Sequence, residues 1–402
     1  MLHRISVSNF QSIRDEITLD FRVPGTTPDN AWLRHPTSQP SLRVPTVIAL
    51  IGPNGSGKTA WLRALADTIR FAAHSYGNPP GPIHQFPAFA SSDAFTEPTR
   101  IEVEFDAPWW NSDPDEPNRV YRYTLGLRRG KPCFLPDAVG YEALRDFPRG
   151  RPRRLMERRP GHPVHIARDL SVKPSDDRLA SIPANASVLS TLARMGVGKF
   201  SAIVDSLTRV QMNVSAVDPI RPDAETLVHY FRDNPLVRDR ISDRLGRFDL
   251  GIEGMNVEQS VDGKWRLFLA HSGLGMTIPL ESESAGTRHV VQVFPALDFA
   301  LATGSLAIMD ALDNDLHVSL VDEILAWFRR QDTNSGNAQL VCSLHGLSAL
   351  DDLEKEEVFI VEKERTGATR SYGVRDICGV RRSGDLRKLY RSGALGGLPS
   401  FG

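Results

Sequence analysis

The run Val47-Ile48-Ala49-Leu50-Ile51 leads directly into Gly52-Pro53-Asn54-Gly55-Ser56-Gly57-Lys58-Thr59, and a helical pattern follows from Ala60 to Phe71. An apolar run without polar alternation predicts a strand buried on both faces. The segment after it fits G-x-x-x-x-G-K-[ST] between a strand and a helix, the context that motif requires. Gly52, Gly55 and Gly57, with Asn54 and Ser56 between them, let the backbone curl so that successive N–H groups point at phosphate oxygens. The helix N-terminus adds the positive end of its dipole. Lys58 is placed to reach the β- and γ-phosphates, and Thr59 to offer a hydroxyl to Mg²⁺. With only 8 lysines against 40 arginines in the chain, a chance match is remote. The stretch reads as a nucleotide-binding loop.

Composition narrows the surroundings of that loop. The 402 residues allow two domains at most, or one large α/β domain carrying an insertion. A hydrophobic share of 41% and a charged share of 24% exclude a largely disordered chain. The net charge of −1 removes any whole-protein attraction to nucleic acid, leaving only local patches. Cys133, Cys342 and Cys378 are too few and too scattered for a disulfide framework or a zinc site, which points to a reduced, cytoplasmic setting. The N-terminus lacks the pattern of a signal peptide. Val290 to Met309 carries a single charge, Asp298. Thr303-Gly304-Ser305 divides it into a buried helix and a buried strand, so no membrane span is expected.

Outward from the loop, residues 2–22 alternate as a β-hairpin, and residues 23–45 read as a surface loop. Alternation at 101–105 and 121–125 predicts an antiparallel layer. Residues 141–175 read as irregular and arginine-heavy, and 183–247 as helical. Strands return at 251–280, a helix covers 285–302, and strand and helix alternate to the end. The expected divisions are 1–140, 141–250 and 251–402: two halves of one nucleotide-binding core split by an arginine-rich, mostly helical insertion.

Further motifs follow in order. Ser305-Leu306-Ala307-Ile308-Met309 ends in Asp310, a strand delivering a carboxylate for Mg²⁺. Glu283-Ser284-Ala285-Gly286-Thr287 opens a helix with the pattern S-x-G. Gln339 to Leu344 is a buried strand that delivers His345. This order resembles ABC-type ATPases of the SMC and RecF kind. The opening Asn9-Phe10-Gln11-Ser12-Ile13 resembles the N-F-x-S turn of that group. The ending, with Tyr390, Gly393, Gly396 and Pro399, resembles the tail of stand-alone OLD-related ATPases found in bacterial anti-phage and abortive-infection modules, PARIS-type systems among them.

The resemblance implies an α/β P-loop NTPase with an ABC-ATPase-like head, a mixed sheet core plus an antiparallel layer, binding ATP and Mg²⁺. Gly52, Asn54, Gly55, Ser56, Gly57 and Lys58 would hold ATP, and Thr59 and Asp310 the metal. Gln85 is the candidate for the Q-loop glutamine at the metal. Ser284 and Gly286 would cap the ATP of a second subunit in a head-to-head dimer, and His345 would be the switch histidine. The expected role is a dimerising switch controlling an effector, a nuclease encoded nearby, with DNA or a phage component as trigger. The alternative is a RecF- or SMC-like DNA-binding ATPase in repair or chromosome maintenance. A transporter subunit is disfavoured because 226 positions separate Lys58 from Ser284.

The departure from the family is Ala311, which stands where a water-polarising glutamate is expected. Losing that general base costs about two to four orders of magnitude in rate. Two readings stand side by side: a substitution that traps the ATP-bound state, or a natural switch that hydrolyses poorly. Asp313 lies two positions beyond and is expected to point elsewhere. Seven arginines between Arg145 and Arg159 read either as a phosphate-tracking surface or as a solvated loop. Trp109-Trp110 suit a packed sheet edge or a partner contact.

Overall fold

A computed structural model describes residues 1–36, 41–108, 118–147, 151–170, 172, 177–215, 220–247, 251–260 and 262–398. Trp109-Trp110, Arg149 and Pro399 lie outside them. The chain opens with β1 (Leu2–Ser8) and β2 (Ile17–Asp20), then a short antiparallel pair, β3 (Leu33–Arg34) and β4 (Val44–Pro45), within the stretch expected to be loop. β5 (Val47–Ile51) and α1 (Lys58–His74) bracket the glycine-rich turn as expected. β6 (Thr99–Ala107), β7 (Arg119–Arg128), β8 (Ala138–Asp146), β9 (Arg153–Arg158) and β10 (His165–Ile166) follow. The helical stretch holds α2 (Asp177–Ala180), α3 (Val188–Arg194), α4 (Gly198–Thr208), α5 (Ala224–Asp233) and α6 (Pro235–Gly246), with β11 (Gln211–Met212) between α4 and α5. Then come β12 (Ile252–Gln259), β13 (Trp265–His271), β14 (Thr277–Pro279), α7 (Ala285–Thr303) and β15 (Leu306–Met309). α8 (Val318–Arg329), β16 (Gln339–Leu344), β17 (Val358–Lys363), β18 (Thr369–Gly373) and α9 (Leu386–Arg391) complete the chain.

The core sheet has the order β11-β15-β16-β5-β17-β18, parallel except for β18. Every residue of β5 is buried because both faces are covered. Ile48 and Leu50 face the core built on α1, α3, α4 and the antiparallel layer. Val47, Ala49 and Ile51 face the second core, built on α7, α8 and β12–β14. The seven-stranded antiparallel layer runs β10-β9-β8-β7-β6-β1-β2.

Two sequence readings change here. Residues 141–175 are not irregular throughout: β8 and β9 extend the antiparallel layer across them, and β8 itself runs through residue 140. Their arginines alternate with carboxylates that neutralise them, which hid the strand pattern behind a high charge count. The helical stretch also contributes β11 to the core sheet, paired in parallel with β15. No helix among the described residues is long and apolar enough to cross a membrane. The tail packs back: Gly397 N–H donates to Glu362 Oε2 at 2.9 Å, and Tyr372 donates its hydroxyl to Leu395 O at 3.0 Å.

Candidate nucleotide site

The glycine-rich turn is shaped by contacts that exclude a side chain. A Cβ on Gly52 would sit 1.9 Å from the carbonyl oxygen of Val361. Gly57 has φ +109°, and a Cβ there would lie 2.2 Å from Thr369 Oγ1. Thr369, on β18, joins three distant pieces of the chain. Its hydroxyl donates to Ser56 O at 2.8 Å, shares a 2.8 Å hydrogen bond with Ser12 Oγ, and its N–H donates to Ser12 O at 2.7 Å. The N-F-x-S turn thereby braces the loop. Asn9 anchors the loop between α1 and β6, donating to Ala94 O and Glu97 O and accepting from Phe89 N–H.

Lys58 is buried, and its ammonium donates to Gly52 O at 2.6 Å and Pro53 O at 3.1 Å. Burial lowers its pKa, opposed by the charges of Asp310 and Asp313. The buried Ser56 Oγ has no hydrogen-bond partner. A phosphate fits this arrangement: it gives the ammonium an anionic acceptor in place of loop carbonyls, and it satisfies an orphan hydroxyl.

Across from the loop, Asp310 ends β15. Its Oδ2 accepts from Thr59 Oγ1 at 2.8 Å and its Oδ1 from Ser343 Oγ at 2.6 Å. Ser343 Oγ in turn accepts from Ala311 N–H at 2.7 Å. Asn213, just after β11, clamps the backbone of Asp310: its Oδ1 accepts the N–H at 2.7 Å and its Nδ2 donates to the carbonyl at 3.0 Å. A hydroxyl and a carboxylate meeting opposite a phosphate-binding loop fit a hard divalent cation such as Mg²⁺. Ala311 is buried and left-handed, with φ +49°. His345 lies at the edge of the site. Partial burial lowers its pKa, and the Lys58 charge adds to this.

The S-x-G segment starts α7. Ser284 caps it, accepting from Thr287 N–H at 3.1 Å. A Cβ on Gly286 would lie 2.7 Å from Asp315 O, so the loop after β15 runs against this helix start. Arg221 reaches Asp315 at 3.5 Å. Among the described residues, no hydrogen bond joins Ser284 or Gly286 to Lys58, Thr59 or Asp310. Gln85, half-buried in the loop between α1 and β6, likewise has none to Thr59 or Asp310. The structure therefore brings Lys58, Thr59 and Asp310 together, with His345 at the rim, and joins Ser284, Gly286 and Gln85 to them by no hydrogen bond among the described residues.

Sequence reasoning passed over Asn213, Ser343 and Thr369. Ser343 had a signal, a polar residue inside a wholly buried strand. Asn213 and Thr369 had none, since their partners lie 97 and 313 positions away.

A family profile described as "AAA domain, putative AbiEii toxin, Type IV TA system" matches residues 47–351. No curated protein matches the chain. Among solved structures, the SMC head domain from Thermotoga maritima is 13% identical, with 92% of this chain and 98% of that one covered and a TM-score of 0.40. The SmcHead bound to the C-winged helix domain of ScpA is 12% identical, with 92% and 96% covered and a TM-score of 0.46. An Smc head domain with an extended coiled coil, bound to the C-terminal domain of ScpA derived from Pyrococcus furiosus, is 13% identical, with 93% and 96% covered and a TM-score of 0.43.

Proposed function

The chain belongs to the AAA domain family so described and is an ATPase of that kind, and from that premise we propose a dimerising switch that controls a partner effector in anti-phage defence. The observation that carries the nucleotide half is the 2.8 Å hydrogen bond from Thr59 to Asp310, which joins the glycine-rich loop to the end of β15 across 251 positions. Lys58 and the loop N–H groups would hold the phosphates. Thr59 and Asp310 would hold Mg²⁺, which supplies charge neutralisation at the phosphates. His345 senses the γ-phosphate from the rim.

The switch half rests on the S-x-G start of α7, where Ser284 caps the helix. Ser284 and Gly286 open the 19-residue helix α7, and in this reading that helix start caps the ATP of a second copy in a head-to-head pair. Residues 1–140 and 251–402 form one head in this reading, and 141–250 carries β11 and the helices that couple it to a partner. The effector is a nuclease encoded nearby, DNA or a phage component is the trigger, and the setting is cytoplasmic. With alanine in place of glutamate at 311, hydrolysis runs slower than a glutamate there would allow, and the ATP-bound pair lasts longer. The DNA-binding alternative finds less support, because Arg145, Arg153, Arg154 and Arg159 are engaged by Asp146 and Glu157.

Light scattering tests the switch. ATP with Mg²⁺ should convert monomer to dimer, and Gly286→Arg should block that conversion while leaving ATP binding intact. A wild-type chain that binds ATP and stays monomeric sinks the reading. Co-purification with neighbouring gene products tests the effector.

A further inference from the structure

Position 311 carries a methyl where a general base is expected, yet the loop after it holds a carboxylate with no role so far. Asp313 is fixed through one oxygen: Oδ2 accepts from the backbone N–H of His345 at 2.8 Å and of Gly346 at 2.5 Å. A Cβ on Gly346 would lie 3.2 Å from that oxygen, tighter than most side chains tolerate. The other oxygen, Oδ1, is shut off from solvent and has no hydrogen-bond partner. An acceptor held in that state calls for a donor, and a water molecule can supply one.

Two features bring this carboxylate to the phosphate end of the site. Its charge acts on Lys58 and on His345, as does that of Asp310. The chain path explains why spacing alone misplaces it. Ala311 is left-handed, and Asn314 N–H donates back to Ala311 O at 3.1 Å. An extended chain would carry residue 313 away from β15. This turn returns it to the end of β16, beside His345.

We propose that Asp313 replaces the missing glutamate as the general base for ATP hydrolysis, an inference that rests on the ATPase reading above. The water oxygen bonds to the γ-phosphorus while the bond from that phosphorus to the β–γ bridging oxygen breaks, its electron pair leaving with ADP. The water proton passes to Asp313 Oδ1 and from there to the released phosphate or to solvent. Anchoring through Oδ2 fixes the carboxylate to the strand end that carries His345, so base and γ-phosphate sensor move as one piece.

The test uses the full chain as wild type, Asp313→Asn, Ala311→Glu and the double variant. Three quantities are read: phosphate release, affinity for a fluorescent ATP analogue, and unfolding temperature. Asparagine keeps an oxygen for the two backbone N–H groups, so affinity and unfolding temperature should hold. Phosphate release should fall by about 100-fold or more. Adding Ala311→Glu to Asp313→Asn should restore release to within about tenfold of Ala311→Glu alone.

Wild-type release from Asp313→Asn overturns the proposal. So does a loss matched by weaker analogue binding or a lower unfolding temperature, which marks a purely structural role. A double variant that stays inactive while Ala311→Glu alone is active also overturns it. A wild-type chain that binds the analogue and releases no phosphate sinks this inference but leaves nucleotide binding standing. A chain that binds no analogue sinks both.

Discussion

Asp310 at the end of β15 and Asp146 at the end of β8 are both buried carboxylates, and their neighbours differ in kind. Asp146 is gripped through both oxygens by Arg153, at 2.9 and 2.8 Å, with Arg119 at 3.6 Å. Nearby, Glu157 binds Arg154, Arg159 and Tyr141. Asp310 instead accepts from two neutral hydroxyls, Thr59 and Ser343. A guanidinium consumes a carboxylate's charge permanently, whereas hydroxyls orient it and leave the charge for a cation that comes and goes. The same residue type is thus a structural tie in one sheet and a carboxylate held ready for a cation in the other.

Lys58→Ala gives the largest test of that contrast. It should cut ATP turnover by about 100- to 1,000-fold, the scale of losing one preorganised charge donor, and leave the unfolding midpoint in urea almost unmoved. A loss of stability as large as the loss of turnover would erase the distinction. Asp146→Ala should do the reverse. It removes the two-oxygen grip on Arg153, which keeps Asp169 at 2.9 Å, and the contact to Arg119, so urea unfolding should show a loss of about 1–3 kcal/mol with ATP affinity unchanged.

The smallest effect is one of pH. Burial alone would raise the pKa of Glu157, but Arg154, Arg159 and Tyr141 outweigh it and hold the value at about 2, against 4.5 ordinarily. A folded pKa below the unfolded one adds stability above about pH 4.5 that is lost as pH falls toward 2. Glu157→Gln should flatten that acid limb in a series of unfolding curves. An unchanged limb would remove Glu157 from the ties.

Much of the nucleotide side was legible because its chemistry is local. The loop Gly52–Thr59 sits between a strand and a helix that their own patterns predict, and Asp310 ends a short apolar run. The rest depends on contacts between distant residues. Nothing in Gln211-Met212-Asn213 announces a strand that edges the core sheet and clamps Asp310. Asp313 was misplaced because its position depends on the left-handed turn at Ala311, which an alanine does not advertise. The arginine-rich segment was misread because charge density looks the same in a solvated loop and in strands whose charges are already spent.

Thr369 has a consequence in time as well as in space. Its hydrogen bonds to Ser12 and Ser56 span 357 and 313 positions. During synthesis the phosphate loop emerges 313 positions ahead of the residue that braces it. A ribosome that stalls before β18 therefore releases a chain whose loop lacks its brace. The final shape of the loop thus waits on β18, long after the loop's own residues have left the ribosome.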